Sequence, residues 1–125
     1  MATRKLLLIE DDDLLRKSLA FFLKNQNFDV IESSNGLDAL NEIRDGSFDL
    51  IITDLNIPYV GGLEIINTVR NELKLSTPVI VLTSSGVENT ELEAFDIGAS
   101  EFIPKPFSPP ILKARIEKLI QSNAS

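Results

Sequence analysis

Short continuous apolar runs alternate with longer stretches in which apolar residues recur at helical spacing. Leu6–Ile9 is an unbroken apolar run, the pattern of a strand covered on both faces. Leu14, Leu15, Leu19, Phe22 and Leu23 then recur at helical spacing, with Arg16, Lys17 and Lys24 between them. The polar turn Asn25-Gln26-Asn27 opens a second strand over Phe28–Ser33. Leu37–Ile43 reads as a second helix, punctuated by Asn35-Gly36 before it and Gly46 after it. Leu50, Ile51 and Ile52 form a third buried strand running into Thr53-Asp54, and a loop with Pro58 and Gly61-Gly62 follows. Leu63, Ile66, Val69, Arg70 and Leu73 make a third helix, and Pro78 opens the β-prone strand Val79–Leu82. Glu88–Ile97 is an acidic helix closed by Gly98. Glu101–Pro104 is a short strand, and Ile111, Leu112, Ile116, Leu119 and Ile120 build a last helix after Pro109-Pro110. Residues after Gln121 are small and polar and are expected to fray.

Five strands alternating with five helices predict an α/β fold, (βα)5, with a doubly wound parallel five-stranded sheet. The length, 125 residues, predicts a single domain over 1–125. Hydrophobic residues at 43% and charged residues at 25% are near the globular average. The net charge of −7 argues against unaided nucleic-acid binding. Cys and His are both absent, which excludes disulfides, thiolate or histidine metal sites, Ser-His-Asp triads and histidine phosphoacceptors. No segment reads as a signal peptide or membrane span, so a cytoplasmic location is the default expectation.

In open parallel sheets function lies beyond the carboxyl ends of the strands. Glu10, Asp11, Asp12 and Asp13 follow the first strand and Asp54 the third. Thr83-Ser84-Ser85 follow the fourth, and Lys105 stands between Pro104 and Pro106 after the fifth. Two unit charges about 4 Å apart repel by roughly 4 kcal/mol at an effective dielectric near 20. Grouping Glu10, Asp11 and Asp54 therefore calls for a cation, and with oxygen ligands alone that cation is Mg2+, with Mn2+ as a surrogate. A metal beside Asp54 makes it a phosphoryl acceptor, with Lys105 supplying charge and Thr83 a hydroxyl donor. Taken singly, each residue has a plainer reading: Asp12 or Asp13 can cap the first helix, Thr83 can end a strand, Lys105 can be a surface lysine, and Phe102 can be core.

The chain resembles a response-regulator receiver domain of two-component signalling, of the chemotaxis-regulator type, from Lys5 to about Ile120. The resemblance rests on several segments in order: Leu8–Asp12, Asp49–Pro58, Gly62-Leu63-Glu64, Val81–Ser84, Gly98-Ala99 and Phe102–Phe107. It implies a flavodoxin-like strand order 2-1-3-4-5 and a phosphoprotein of a two-component system or phosphorelay. Asp54 would take a phosphoryl group from a sensor histidine kinase or histidine phosphotransfer protein. Glu10, Asp11, Asp54 and the Asn56 backbone carbonyl would bind Mg2+, and Thr83 and Lys105 would contact the phosphoryl group. The Lys105-Pro106 bond is usually cis in similar proteins. Thr83 and Phe102 would form a switch that remodels the face of the fourth helix, fifth strand and fifth helix, where a downstream effector protein or domain docks. Phe lacks the hydroxyl of Tyr, so Phe102 is expected to favour the inward position. The domain would catalyse only its own phosphorylation and dephosphorylation, with no membrane or direct nucleic-acid contact.

Departures from the family pattern are Gly61 where an acid is common, expected to loosen the loop, Pro104 before the lysine, tolerable on an edge strand, and Ser84 where Ala is frequent. Asn56 and Ser85 stand where similar proteins tune acyl-phosphate hydrolysis. A haloacid-dehalogenase-like phosphohydrolase needs a second acid where Asn56 stands, and a flavodoxin-type carrier needs a phosphate loop where four acids stand. A receiver-like interaction module that is never phosphorylated is the remaining alternative. The chain ends just after the fifth helix, as expected for a stand-alone receiver or one taken from a longer protein.

Overall fold

The computed structural model describes residues 3–84 and 88–124, without the side chains of 88, 89, 123 and 124. The elements run β1 (Lys5–Ile9), α1 (Asp13–Asn25), β2 (Asp29–Ser33), α2 (Gly36–Asp45), β3 (Leu50–Thr53) and α3 (Gly62–Asn67). They continue with a π-helical turn (Thr68–Glu72), β4 (Val79–Thr83), α4 (Glu88–Ile97), β5 (Glu101–Pro104) and α5 (Pro109–Ala124). The sheet is parallel throughout, in the order β2-β1-β3-β4-β5. This is the doubly wound, flavodoxin-like architecture that the alternating pattern and the resemblance predict.

The unbroken apolar strands follow from burial on both faces. Leu6, Leu8, Leu50, Ile52, Ile80, Leu82 and Ile103 pack with residues of α1 and α5. Leu7, Ile9, Ile51, Val79, Val81 and Phe102 face the opposite layer, with residues of α2, α3 and α4. Successive strand residues thus feed different cores, as the period of two requires.

Local chemistry sets the element ends. The Asp12 carboxylate accepts from the Leu15 N–H at 3.1 Å, and the Asn35 side chain accepts from the Asp38 N–H at 2.8 Å, so both helices are capped as their sequences indicate. Gly98 ends α4 at φ +125°, a left-handed value that penalises any side chain. Pro104 is compatible with β5 because that strand is the sheet edge. The bond to the Thr83 carbonyl comes from the Lys105 N–H at 2.8 Å, so the proline nitrogen faces the open side.

Two expectations are revised. The third helix is not regular through Leu73: the Leu73 N–H reaches back five residues to the Thr68 carbonyl at 2.8 Å, making the π turn. That turn carries Arg70, whose guanidinium donates to the carbonyls of Leu75, Thr77 and Gly98 and so ties it to the end of α4. Burial lowers the pKa of Arg70 from its ordinary value. At the other end of the chain, α5 continues to Ala124, because nothing among its last residues breaks a helix. Among the described residues no helix is long and apolar enough to cross a membrane.

Candidate functional site

β1, β3 and β5 end together at one edge of the sheet and deliver Glu10, Asp54 and Lys105 to a common mouth. Asp54 is 7% exposed and Glu10 4%, so both carboxylates are nearly out of water. The Lys105 ammonium bridges them, 2.7 Å from Asp54 Oδ2 and 2.5 Å from Glu10 Oε1. The remaining oxygens are held by backbone: the Asn56 N–H donates to Asp54 Oδ1 at 3.0 Å and the Asp12 N–H to Glu10 Oε2 at 3.1 Å. Among the described residues no buried side-chain polar atom lacks a partner.

Electrostatics follow from this burial. Glu10 is raised above the usual carboxylate value by loss of water, opposed by its bond to Lys105. Burial works against the Lys105 ammonium, but its hydrogen bonds to Asp54 and Glu10 and the charges of both acids outweigh it, so lysine basicity rises. Two clustered acids thus share one ammonium.

The structure also places the other predicted residues. Thr83 is fully buried at the end of β4, opposite Pro104 in the sheet register. Asn56 is exposed in the turn after Asp54, and Ser84 is exposed at the head of the loop after β4. Asp11 is exposed and is not gathered onto the ammonium with Glu10 and Asp54. Among the described residues no three acids lie together in ion-holding geometry. The donor chemistry nonetheless suits a hard cation: two buried carboxylates close enough to share one ammonium, backbone oxygens of the Asp54 turn, and Asp11 adjoining Glu10 in the chain. Phe102 is buried, in the cluster that includes Val81, Ala94 and Ala99. The Lys105-Pro106 peptide bond is cis. Ser85 lies outside the described residues.

The loop from Asp54 to Gly61 is tied at several points. Pro58 accepts from the N–H groups of Val60 and Gly36, and Leu55 accepts from the Gly62 N–H. Gly61 itself has ordinary extended backbone, so the missing acid leaves these bonds in place. Two contacts beside the site were not read from the sequence. A Cβ on Gly62 would lie 2.5 Å from the Asp54 carbonyl oxygen, so only glycine lets α3 approach the acid's own backbone. Arg16, a mere polar spacer in the helical pattern, is buried and donates to the Glu10 carbonyl at 2.9 Å. Its position among buried Leu19, Ala20 and Leu23 at i, i+3, i+4 and i+7 was the available signal.

Beside Lys105 an open groove of about 440 Å³ is lined by Leu15, Phe22, Ser84, Pro106 and Phe107 among others. The site is therefore a buried acid pair under a lysine, opening on one side onto apolar surface.

Comparisons with known proteins agree with this arrangement. Residues 6–117 match the response regulator receiver domain family. The transcriptional regulatory protein SrrA of Staphylococcus aureus is 31% identical over 123 residues, 98% of this chain and 50% of SrrA. The chain thus spans about half the length of the curated relatives it matches. The receiver domain of the Francisella response regulator 1452 superposes with a TM-score of 0.92 at 25% identity, covering 97% of this chain and 99% of that one. Chemotaxis response regulator CheY4 of Vibrio cholerae does so with a TM-score of 0.87 at 27% identity, over 94% of this chain and 99% of its own. A parallel sheet in 2-1-3-4-5 order, an acid pair and a lysine at its carboxyl edge, and a family match over most of the length lead to one conclusion: the chain belongs to the response regulator receiver domain family of two-component signalling.

Proposed function

We propose that this chain is the phosphorylated receiver of a two-component system or phosphorelay, with Asp54 as the acceptor. The bridge from Lys105 to Asp54 and Glu10 carries the reading, because it puts a nearly buried carboxylate beside a fixed positive charge at an open mouth. In phosphoryl transfer from a phosphohistidine, an Asp54 carboxylate oxygen forms the new P–O bond as the P–N bond to the donor imidazole breaks. Lys105 then pairs with a phosphoryl oxygen, and Thr83 at the end of β4 offers its hydroxyl to another. Glu10, Asp11, Asp54 and the Asn56 carbonyl are the residues that would hold Mg2+. When bound, that ion compensates the charge of the acids and of the incoming phosphoryl group.

The apolar groove beside Lys105 supports a protein as donor, a sensor histidine kinase or histidine phosphotransfer protein, since a small phosphodonor needs no such surface. The added phosphoryl charge, about −1.5 to −2, would draw Thr83 toward it. Buried Phe102 couples that movement to the face of α4, β5 and α5, where we place the effector, on a separate protein or on the remainder of a longer chain. The domain performs its own phosphorylation and dephosphorylation and turns over no other substrate.

Incubation with Mg2+ and acetyl phosphate followed by intact-mass measurement tests the reading. Wild type gains one phosphoryl adduct and Asp54→Asn gains none. An equal adduct on Asp54→Asn overturns the acceptor assignment, and wild type without any adduct points to an unphosphorylated interaction module. Sustained turnover of a phosphomonoester would indicate a phosphohydrolase instead.

A further inference from the structure

The buried stripe of α1 consists of Arg16, Leu19, Ala20 and Leu23. An arginine on such a stripe persists only where its planar fork finds acceptors on several sides. Nη1 donates to the Glu10 backbone carbonyl at 2.9 Å, Nη2 lies 2.8 Å from Asp13 Oδ1, and Nε donates to Glu32 Oε1 at 3.3 Å. One side chain thus joins the first turn of α1, strand β2 and the turn that follows β1.

The Glu10 carbonyl is half of the peptide unit linking Glu10 to Asp11, and that unit is planar and stiff. Gripping its oxygen orients the plane from which both acids project. The same turn is held elsewhere by the Glu10 N–H to the Ser33 carbonyl at 3.0 Å and by the Arg16 N–H to the Asp12 carbonyl at 2.9 Å. Among the described residues Arg16 makes no hydrogen bond or ion pair with Asp54 or Lys105. It acts on the turn from behind.

The geometry points to Arg16 as the positioning residue of the acid turn: it holds the peptide between Glu10 and Asp11 so that the two side chains can offer oxygens to one divalent cation. The inference rests on the Mg2+ reading above. Charge and position make opposite demands here, which separates them. Deleting a positive charge near a cation site tightens cation binding on Coulomb grounds alone. Loss of positioning weakens it.

The test is isothermal titration of the full chain with Mg2+ for wild type, R16M and R16K, with urea unfolding in EDTA alongside. R16M is expected to weaken Mg2+ binding about tenfold or more, the size of effect seen when a partner of a metal ligand is removed. R16K keeps the charge but reaches fewer acceptors, so its affinity falls severalfold while it stays folded in EDTA, and it carries the comparison if R16M does not fold. Reduced stability with unchanged or tighter Mg2+ binding in the folded variants makes Arg16 a staple only and overturns the inference. Wild type that takes an Asp54 adduct and binds Mg2+ leaves the functional reading intact in that case. Wild type that binds no Mg2+ overturns the metal reading and this inference together.

Discussion

Lys105 and Asp54 lie fifty-one residues apart in sequence, yet the lysine ammonium sits 2.7 Å from the aspartate oxygen and also spans to Glu10, ninety-five residues away. The sheet order makes this possible: β1 and β3 are neighbours, and β5 lies two strands from β3 with β4 between them, so their carboxyl ends converge. The lysine therefore offsets part of the charge of two buried acids that burial and mutual repulsion both disfavour.

Removing that cation has two separable effects. Lys105→Ala leaves Glu10 and Asp54 buried and unpaired, so in EDTA it is expected to lose about 1–3 kcal/mol of stability. Saturating Mg2+ returns much of that loss, because the ion replaces the missing charge. Labelling by acetyl phosphate falls at least about tenfold, since no group replaces the ammonium on the phosphoryl oxygens. Urea unfolding with and without Mg2+, together with intact-mass time courses, measures both. Equal losses in the two buffers would show that the ion does not enter beside Asp54.

The pH dependence has a definite sign. Glu10 is raised above its ordinary value of 4.5, first by burial. A carboxyl raised in the folded state contributes stability below its ordinary value and loses that contribution as pH rises through its folded value. Glu10→Gln removes the titration, so in EDTA its stability relative to wild type should grow from about pH 4 to about pH 7. Chemical unfolding across that range checks this; a difference that shrinks with rising pH would contradict it.

Gly62 is a backbone contact of the site. A methyl there meets the Asp54 carbonyl oxygen at 2.5 Å and Leu55 Cα at 2.8 Å, and neither can swing away. Gly62→Ala is expected to cost about 1–3 kcal/mol by overpacking and to slow labelling of Asp54 by displacing its turn. A variant that labels at the wild-type rate despite lower stability would limit Gly62 to packing.

Phe102 is buried, in the cluster that includes Val81, Ala94 and Ala99. Its ring is expected to stay buried when the phosphoryl group arrives, so that Thr83 does the moving. Carbon-13 spectra of labelled phenylalanine, with and without a phosphate mimic, report this directly. A ring that moves out into solvent would reverse the proposed coupling. Phe102→Ala should also destabilise the fold by about 3–5 kcal/mol, the usual loss for a buried phenylalanine.

Several features of the site were legible in the residue order. The carboxyl ends of the apolar runs pointed to Glu10, Asp54, Thr83 and Lys105, and three of those strands deliver Glu10, Asp54 and Lys105 to one place. Asp12 is the cap that its position before an apolar helix indicates. Arg16 was not legible as a site residue because its stripe position says only that it is buried; its acceptors come from a turn and a second strand. The irregular turn at Thr68–Glu72 was equally hidden, since Leu63, Ile66, Val69, Arg70 and Leu73 fit a regular helix while the guanidinium of Arg70 is held by carbonyls of later loops.

The residue pattern by itself determined the alternation of strands and helices, the capped helix starts, the Gly98 stop and the oxygen-only chemistry at the strand ends. These depend on neighbours within a turn or two, where periodicity and backbone preference act. Only the tertiary structure decided that one ammonium spans Glu10 and Asp54, that Asp11 stays outside that pair and that Gly62 touches the backbone of Asp54. Each of those outcomes is a contact between distant stretches of chain, and close packing of two layers against a sheet settles it, not the preferences of the residues involved.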